Sequence, residues 1–450
     1  MPTQLDAGLI ALLGLLAATG CDHGRSTIRN ADLRPLPYDG EWPNRFDGIK
    51  NRLKEQRSPA DPIRLIVVHG MRTHERGYSD SLQRRIAKLL KLSTDKKRDT
   101  TTIHIVRNYS FVVTHGRQQF GQAKPLESEI RKTTWHRSAG RAKDTTLIVY
   151  EVFWAPFRDV IKNGFLGCLE SRSVREEFKC NEWVPPKYRN QDSRQLLNGR
   201  AKDELLVDGF GDATMVMGPL GEIMQDDIDL AMCIVATDVI RPEALMSLNT
   251  SRCELAENAG LIGDSRKLRQ LLASRDVFVV TESLGSFLLL DGQQRAAVKR
   301  VEDSASISGF SLLDSATVYM FANQVSLLGL TRLSYCKRSE NECAAAPDSS
   351  TPAFLQLTQG SKDTLGIQTK YLAFNDVDDL LTFEIPPYIA KSDFLGPIVN
   401  ISVQNPTWAI PGLLKNPKTH TLYWKNPAAV RAIVYGLTIP APKGEGRSGQ

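Results

Sequence analysis

Residues Asp276 to Asp291 read DVFVVTESLGSFLLLD. Val277 to Val280 is a short run of β-branched and aromatic residues that suits a buried strand, and the apolar residues after Ser283 follow with no spacer and lead into a helix. Between them lies the turn Thr281-Glu282-Ser283-Leu284-Gly285. A serine at the apex of an abrupt strand-to-helix turn, with small residues two before and two after it, is the G-x-S-x-G nucleophile elbow. There a strained backbone exposes the hydroxyl while neighbouring backbones close in. Gly285 supplies the second small residue, but Thr281, a bulkier side chain, stands where the first belongs. Glu282 occupies the middle position, where His or Tyr is common. Ser283 also reads as a helix N-cap, so the assignment depends on what surrounds the stretch.

On the N-terminal side, Ile63 to Val68 (IRLIVV) is a continuous β-branched run, as expected of a central parallel strand covered on both faces. It ends in His69-Gly70-Met71. Ser79 to Leu92 has helical spacing, with Leu82, Ile86, Leu89 and Leu90 on one face. Thr102 to Val106 and Thr146 to Trp154 are further strands. From Ala155 to Arg275 the composition predicts mostly helices, including Gly221 to Val235, in an insertion large enough to cap a pocket as a lid. After the elbow come strands at Ala316 to Ala322, Gln368 to Phe374 and Ile398 to Val403, then a terminal helix from Asn426 to Tyr435. Strands and helices alternate, which predicts an α/β fold with a doubly wound, mostly parallel sheet and a site at the carboxyl ends of its strands.

A serine hydroxyl needs a base to take its proton, and the base needs a third group to hold its tautomer. His420, in KTHTLYW, is the sole histidine after Ser283. Before it, YLAF runs into Asn375-Asp376-Val377-Asp378-Asp379. Nucleophile, acid and histidine in this chain order, each after a strand, resemble the α/β-hydrolase superfamily from Ile63 to about Tyr435. The resemblance implies a Ser-His-Asp triad of Ser283, His420 and one of the aspartates. Asp379, followed by LLTFEIPP, is similar to the acid of lipase-like members; Asp376 lies nearer the strand end, and Asp378 stays open. The resemblance also gives His69-Gly70-Met71 the place of the loop that supplies an oxyanion donor, so that the N–H groups of Met71 and Leu284 would hold the oxyanion.

Other residues read more plainly. Arg72 and His74 read as solvated loop residues, with substrate contact as the alternative, and His69 and His74 are not read as metal ligands; no C-x-x-C pair or histidine cluster offers metal spacing, and no cofactor is implied. Trp135, Trp154, Trp183, Trp408 and Trp424 are core or lid residues. Asn108, Asn249 and Asn400 begin N-x-Ser/Thr sequons.

With 41% hydrophobic and 24% charged residues, the chain has ample material for a large core. Its net charge of +6 is spread along the chain, which argues against nucleic-acid binding. Ala7 to Ala18 is an apolar run too short to span a bilayer, ending in Ala18-Thr19-Gly20-Cys21. This resembles a bacterial lipoprotein signal, implying a lipidated Cys21 and a chain exported to the cell envelope and anchored to its membrane. Residues 22–60 are expected as a polar tether and 438–450 as a tail. Apart from Cys21, the chain carries Cys168, Cys180, Cys233, Cys253, Cys336 and Cys343, compatible with disulfides after export. Cys336 with Cys343 is the foremost local pair and Cys168 with Cys180 the next, with connectivity open.

The expectation is a membrane-tethered serine hydrolase acting on a small-molecule or lipid ester. Two alternatives stand beside it. One is a lipoprotein that keeps the fold as a binding or scaffolding module, with Thr281 and Glu282 as its support; the other is an acyltransferase with the same triad. Oligomeric state is left open.

Overall fold

The computed structural model describes residues 27–38, 42–55, 61–71, 74–95, 99–107, 110–115, 118–123, 126–137, 145–156, 211–218, 220–243, 253, 255, 260, 264–303, 307–329, 335–336, 343–344, 368–387, 396–407, 409–410, 414–415 and 417–439. Its centre is a ten-stranded sheet built, in chain order, from β1 (Leu33–Pro35), β2 (Ile63–Val68), β3 (Leu92–Ser93), β4 (Thr100–Arg107), β5 (Leu126–Arg137), β6 (Thr145–Phe153), β7 (Val277–Glu282), β8 (Thr317–Phe321), β9 (Lys370–Asp376) and β10 (Ile398–Val403). Across the sheet the order is β1-β10-β9-β8-β7-β2-β6-β5, with β3 and β4 both pairing β5 at the far edge. The strands from β6 to β10 in this order run parallel to one another, while β1 and β5 are antiparallel to their neighbours. Strand β7, which leads into Ser283, therefore lies mid-sheet, and its carboxyl end shares an edge with those of β2, β8, β9 and β10.

The central strands are buried because both sheet faces are covered. On one face, α4 (Leu220–Ile240) and α6 (Leu284–Glu302) pack with α5 (Ser265–Ala273) and α3 (Gly211–Met217) over Ile66, Val68, Val277, Val279, Val318 and Met320. On the other, α1 (Ile49–Glu55), α2 (Asp80–Leu90) and α8 (Pro427–Tyr435) cover Leu65, Val67, Phe278, Val280, Tyr319 and Phe374. Odd and even positions of each strand thus serve opposite cores, and a continuous apolar run is what that requires. Helix α8 starts at an N-cap, Asn426, whose side chain accepts from the N–H groups of Ala428 and Ala429, with Pro427 at its first position. The short helix α7 (Val325–Gly329) follows β8. Among the described residues no helix is long and apolar enough to cross a membrane.

Several expectations change. Residues 22–60 do not form a tether throughout: β1 is an edge strand of the main sheet, Arg45–Phe46 pairs with Leu437–Thr438, and Phe46 and Ile49 are fully buried. Leu437–Thr438 and the buried Ile439 likewise carry order past the start of the expected tail at 438. Within the expected 155–275 lid, α4 is a layer helix. Asp238 near its C-terminus accepts from Tyr150 Oη on β6 at 2.6 Å and Asp227 from Ser128 Oγ on β5 at 2.9 Å. This part of the expected lid is tied to the sheet; residues 157–210 of it lie outside the described residues.

The described disulfide joins Cys233 of α4 to Cys253, with the Cα atoms 6.0 Å apart. Cys336 and Cys343 are in register across a short antiparallel ladder; Cys21, Cys168 and Cys180 lie outside the described residues. Asn400 is buried inside β10, donating to Ile385 O and accepting from Ile385 N, which removes it as a glycan acceptor in the folded chain. Trp135, Trp154 and Trp424 are core residues. Asn108, Asn249, Arg72, Trp183 and Trp408 lie outside the described residues.

Candidate active site

Strand β7 ends at Glu282 and α6 begins at Leu284, leaving Ser283 as the whole of the turn. Its backbone has φ 53° and ψ −123°, a conformation that L-residues seldom adopt and that costs about 1–3 kcal/mol. The surroundings fix it. Ser283 N donates to Phe321 O at the end of β8 at 2.8 Å, and Ser283 O accepts from Ser286 N at 3.1 Å. A Cβ on Gly285 would lie 2.5 Å from His69 O, and one on Gly70 would lie 2.5 Å from both Glu282 O and Ser283 Cβ. The loop after β2 and the elbow after β7 are therefore in backbone contact, and glycine at both positions is what lets them meet. Thr281, the departure from the small-residue pattern, is accommodated: it is fully buried and its hydroxyl pairs with Ser286 Oγ at 2.7 Å.

The same loop is pinned from the other side by Trp154. Its Nε1 donates to His69 O at 3.1 Å and its backbone N donates to His69 Nε2 at 3.2 Å, while the two rings stack 4.6 Å apart. With Nε2 accepting, the imidazole proton is on Nδ1, which donates to Gly70 O at 2.8 Å. His69 is thus a neutral structural histidine shaping the loop. His74 is not a solvated residue: it is half-buried against the His69 ring, and its Nε2 donates to Met71 O at 3.0 Å.

His420, in a 3-10 turn between β10 and α8, brings Nε2 to 2.9 Å from Ser283 Oγ. Its Nδ1 donates to the Asp379 carboxylate, 2.9 Å from Oδ2 and 3.0 Å from Oδ1. Asp379 lies in the turn after β9. Its Oδ1 also accepts from Leu381 N at 3.1 Å, and its Oδ2 from Thr382 Oγ1 at 2.6 Å and Tyr423 Oη at 3.2 Å. Burial works to raise the Asp379 carboxyl, but the hydrogen bond and charge of His420, the Thr382 hydroxyl and the Leu381 N–H outweigh it and hold it below its ordinary 3.8. The ionised acid fixes the histidine with Nδ1 protonated and Nε2 facing the serine. Burial of the phenol, and after it the charge of the same carboxylate, push the Tyr423 hydroxyl well above 10, so it remains a donor.

Of the aspartates that sequence left open, Asp379 alone meets the histidine. Asp376 turns away: its Oδ1 accepts from Asp378 N at 3.1 Å and its Oδ2 from Asn405 N at 2.6 Å, and its N donates to Tyr423 Oη at 2.7 Å. Asp378 is exposed. The contacts that Thr382, Tyr423 and Trp154 make at the site are not read from the sequence. An Asp-x-x-Thr spacing hints at the first, since the turn returns its hydroxyl to the carboxylate, whereas Tyr423 and Trp154 act through space and leave no local sign. Met71 is buried on the loop touching the elbow, and Leu284 opens α6, where the first N–H groups of a helix have no intrahelical acceptor.

No protein-family model, no curated protein and no solved structure matches the chain.

Proposed function

We propose that the chain is a serine hydrolase of the α/β-hydrolase type, cleaving carboxylic esters, lipid esters among them, through an acyl-enzyme on Ser283. One observation carries the reading: the continuous relay from Ser283 Oγ to His420 Nε2, 2.9 Å, and from His420 Nδ1 to Asp379, 2.9 Å, on a backbone turn that has no other evident reason to be strained. In this reading His420 Nε2 takes the Ser283 proton as Oγ attacks the acyl carbon. The imidazolium, held by Asp379, then returns the proton to the leaving alcohol; water repeats the sequence to free the acid. The N–H groups of Met71 and Leu284 receive the oxyanion, and the loss of either is expected to slow the reaction on the order of a hundredfold to a thousandfold. The positive end of α6 points the same way. The apolar run before Cys21 adds that the enzyme is exported and held to a membrane by a lipid on that cysteine.

The test is labelling of the full chain with a fluorophosphonate serine probe. Wild type should label, and Ser283→Ala and His420→Ala should not. A well-folded wild type that fails to react would overturn the proposal in favour of the binding-module alternative. Product analysis with water and alcohol acceptors then separates hydrolysis from acyl transfer.

A further inference from the structure

The turn that carries Asp379 also carries three apolar side chains aimed outward. Val377 is 81% exposed, Leu380 78% and Phe383 48%, whereas Asp379 between them is buried. Large apolar groups this open, clustered within seven residues on one turn, normally mark a contact surface. The backbone of this turn is held in place: Asp379 N bonds to Asp376 O, Asn323 Nδ2 donates to Phe383 O, and Ser326 Oγ donates to Glu384 O. The exposed side chains therefore stand on a fixed support.

The course of the N-terminal segment says what they face. Strand β1 runs antiparallel to β10, with Leu33 opposite Ile401 and Pro35 opposite Val399, so the chain enters the sheet from the edge at which β10 ends and the triad lies. Thr27, Ile28 and Asp32 share a cleft with Asp376, Val377 and Asp378. Arg34 on β1 is paired with Glu384, one residue after Phe383, at 2.6 Å. Cys21 is separated from Thr27 by six peptide steps, a reach of at most about 20 Å. A lipid on Cys21 would thus keep the membrane within about 20 Å of Thr27, on the side of this edge.

We propose that Val377, Leu380 and Phe383 rest on the lipid surface to which the chain is tethered, so that the triad faces the membrane and takes its ester from the lipid phase. The substrate half of this rests on the hydrolase reading, and the contact half on the lipid at Cys21 that the same proposal includes. Charge near the turn is mixed, with Arg34 and Glu384 paired and Asp32 and Asp378 close by. The contact is apolar, and salt should leave it intact.

The experiment uses full-length chain reconstituted in phosphatidylethanolamine/phosphatidylglycerol vesicles with and without brominated acyl chains, in a Ser283→Ala background so that catalysis plays no part. Tryptophan is introduced by Leu380→Trp or, as the control, by Val301→Trp, at an exposed position near the opposite end of α6. Bromolipid should quench the emission added by Leu380→Trp at least about threefold, at low and high salt alike, and leave that added by Val301→Trp unchanged. Equal quenching at both sites, or none at position 380, overturns the proposal. So does sedimentation in which Val377→Ser/Leu380→Ser converts a dimer to monomer, which would give the surface to a second copy. With Ser283 intact, Val377→Ser/Leu380→Ser should label with the fluorophosphonate at the wild-type rate yet cleave a vesicle-borne ester about tenfold more slowly. Quenching without labelling would keep the membrane contact and retire the hydrolase.

Discussion

Asp376 and Asp379 are the same chemical group three positions apart, and their neighbours give them different work. Asp379 receives the histidine, a threonine and a tyrosine hydroxyl and a backbone N–H; Asp376 receives the backbone N–H groups of Asp378 and Asn405 and ties the turn to the segment after β10. Asp379→Asn keeps the shape but offers Nδ1 of His420 an amide, which accepts the inverted tautomer; serine-probe labelling should fall on the order of a thousandfold or more with little change in melting temperature. Asp376→Asn places an amide where Asn405 N needs an acceptor. It should cost about 1–3 kcal/mol in denaturant unfolding while leaving the labelling rate of the folded fraction within about tenfold. Exchanged outcomes would exchange the roles. Because the Asp379 carboxyl is held below its ordinary value, its share of stability is complete above the unfolded carboxyl range and is lost as pH falls through the lower folded value. Ser283 and His420 were legible in the sequence because chain order and the scarcity of histidine confine them. The choice among the aspartates was not, because two turn carboxylates differ only in where they point.

The elbow as an element depends on two backbones meeting, and that sets its tolerance. Gly285→Ala would press a methyl to 2.5 Å from His69 O and 2.9 Å from Val68 O, both backbone atoms of a central strand end that cannot yield. The expected result is a loss of about 2–4 kcal/mol in unfolding free energy, or a folded protein whose probe reactivity has dropped at least about a hundredfold because Leu284 N and the loop have separated. An alanine variant that is both stable and fully reactive would mean the loop contact is dispensable. Which elements could be read from sequence follows the same physics of burial. The strands β2, β7, β8, β9 and β10 are covered on both faces and announce themselves as apolar runs. Strand β5, LESEIRKTTWHR, hides because its polar side chains find partners inside the fold: Arg131 with Glu151 and Asp80, Lys132 with Asp238 at 2.7 Å, and Ser128 with Asp227. Strand β1 hides because it is brief and ends in Pro35, which only an edge strand tolerates.

At the scale of the whole molecule, α4 is both a largely buried layer helix and the carrier of acids that such a helix would ordinarily lack. Burial pushes the Asp227 carboxyl up to about 6, against the Ser128 hydroxyl and the charge of Arg107, and its Oδ2 has no hydrogen-bond partner among the described residues. A folded value above the unfolded one means that the native state holds the proton more tightly. The fold therefore loses stability as pH rises from about 4 to about 6, and the penalty is constant above that, on the order of 3 kcal/mol. Asp227→Asn keeps an oxygen for Ser128 and removes the charge, so it should stabilise the protein by about that amount at neutral pH and by nothing near pH 4, read from urea midpoints across the range. Asp314 is likewise pushed up to about 6 by burial, but it is paired with Arg300 at 2.9 Å, and both side chains are buried. There the same substitution takes the charged carboxylate from a buried guanidinium, and Asp314→Asn should destabilise at neutral pH by about 3 kcal/mol. If both variants moved the midpoint in the same direction, burial alone would govern these acids and the partner would not matter; opposite signs would show that the partner decides.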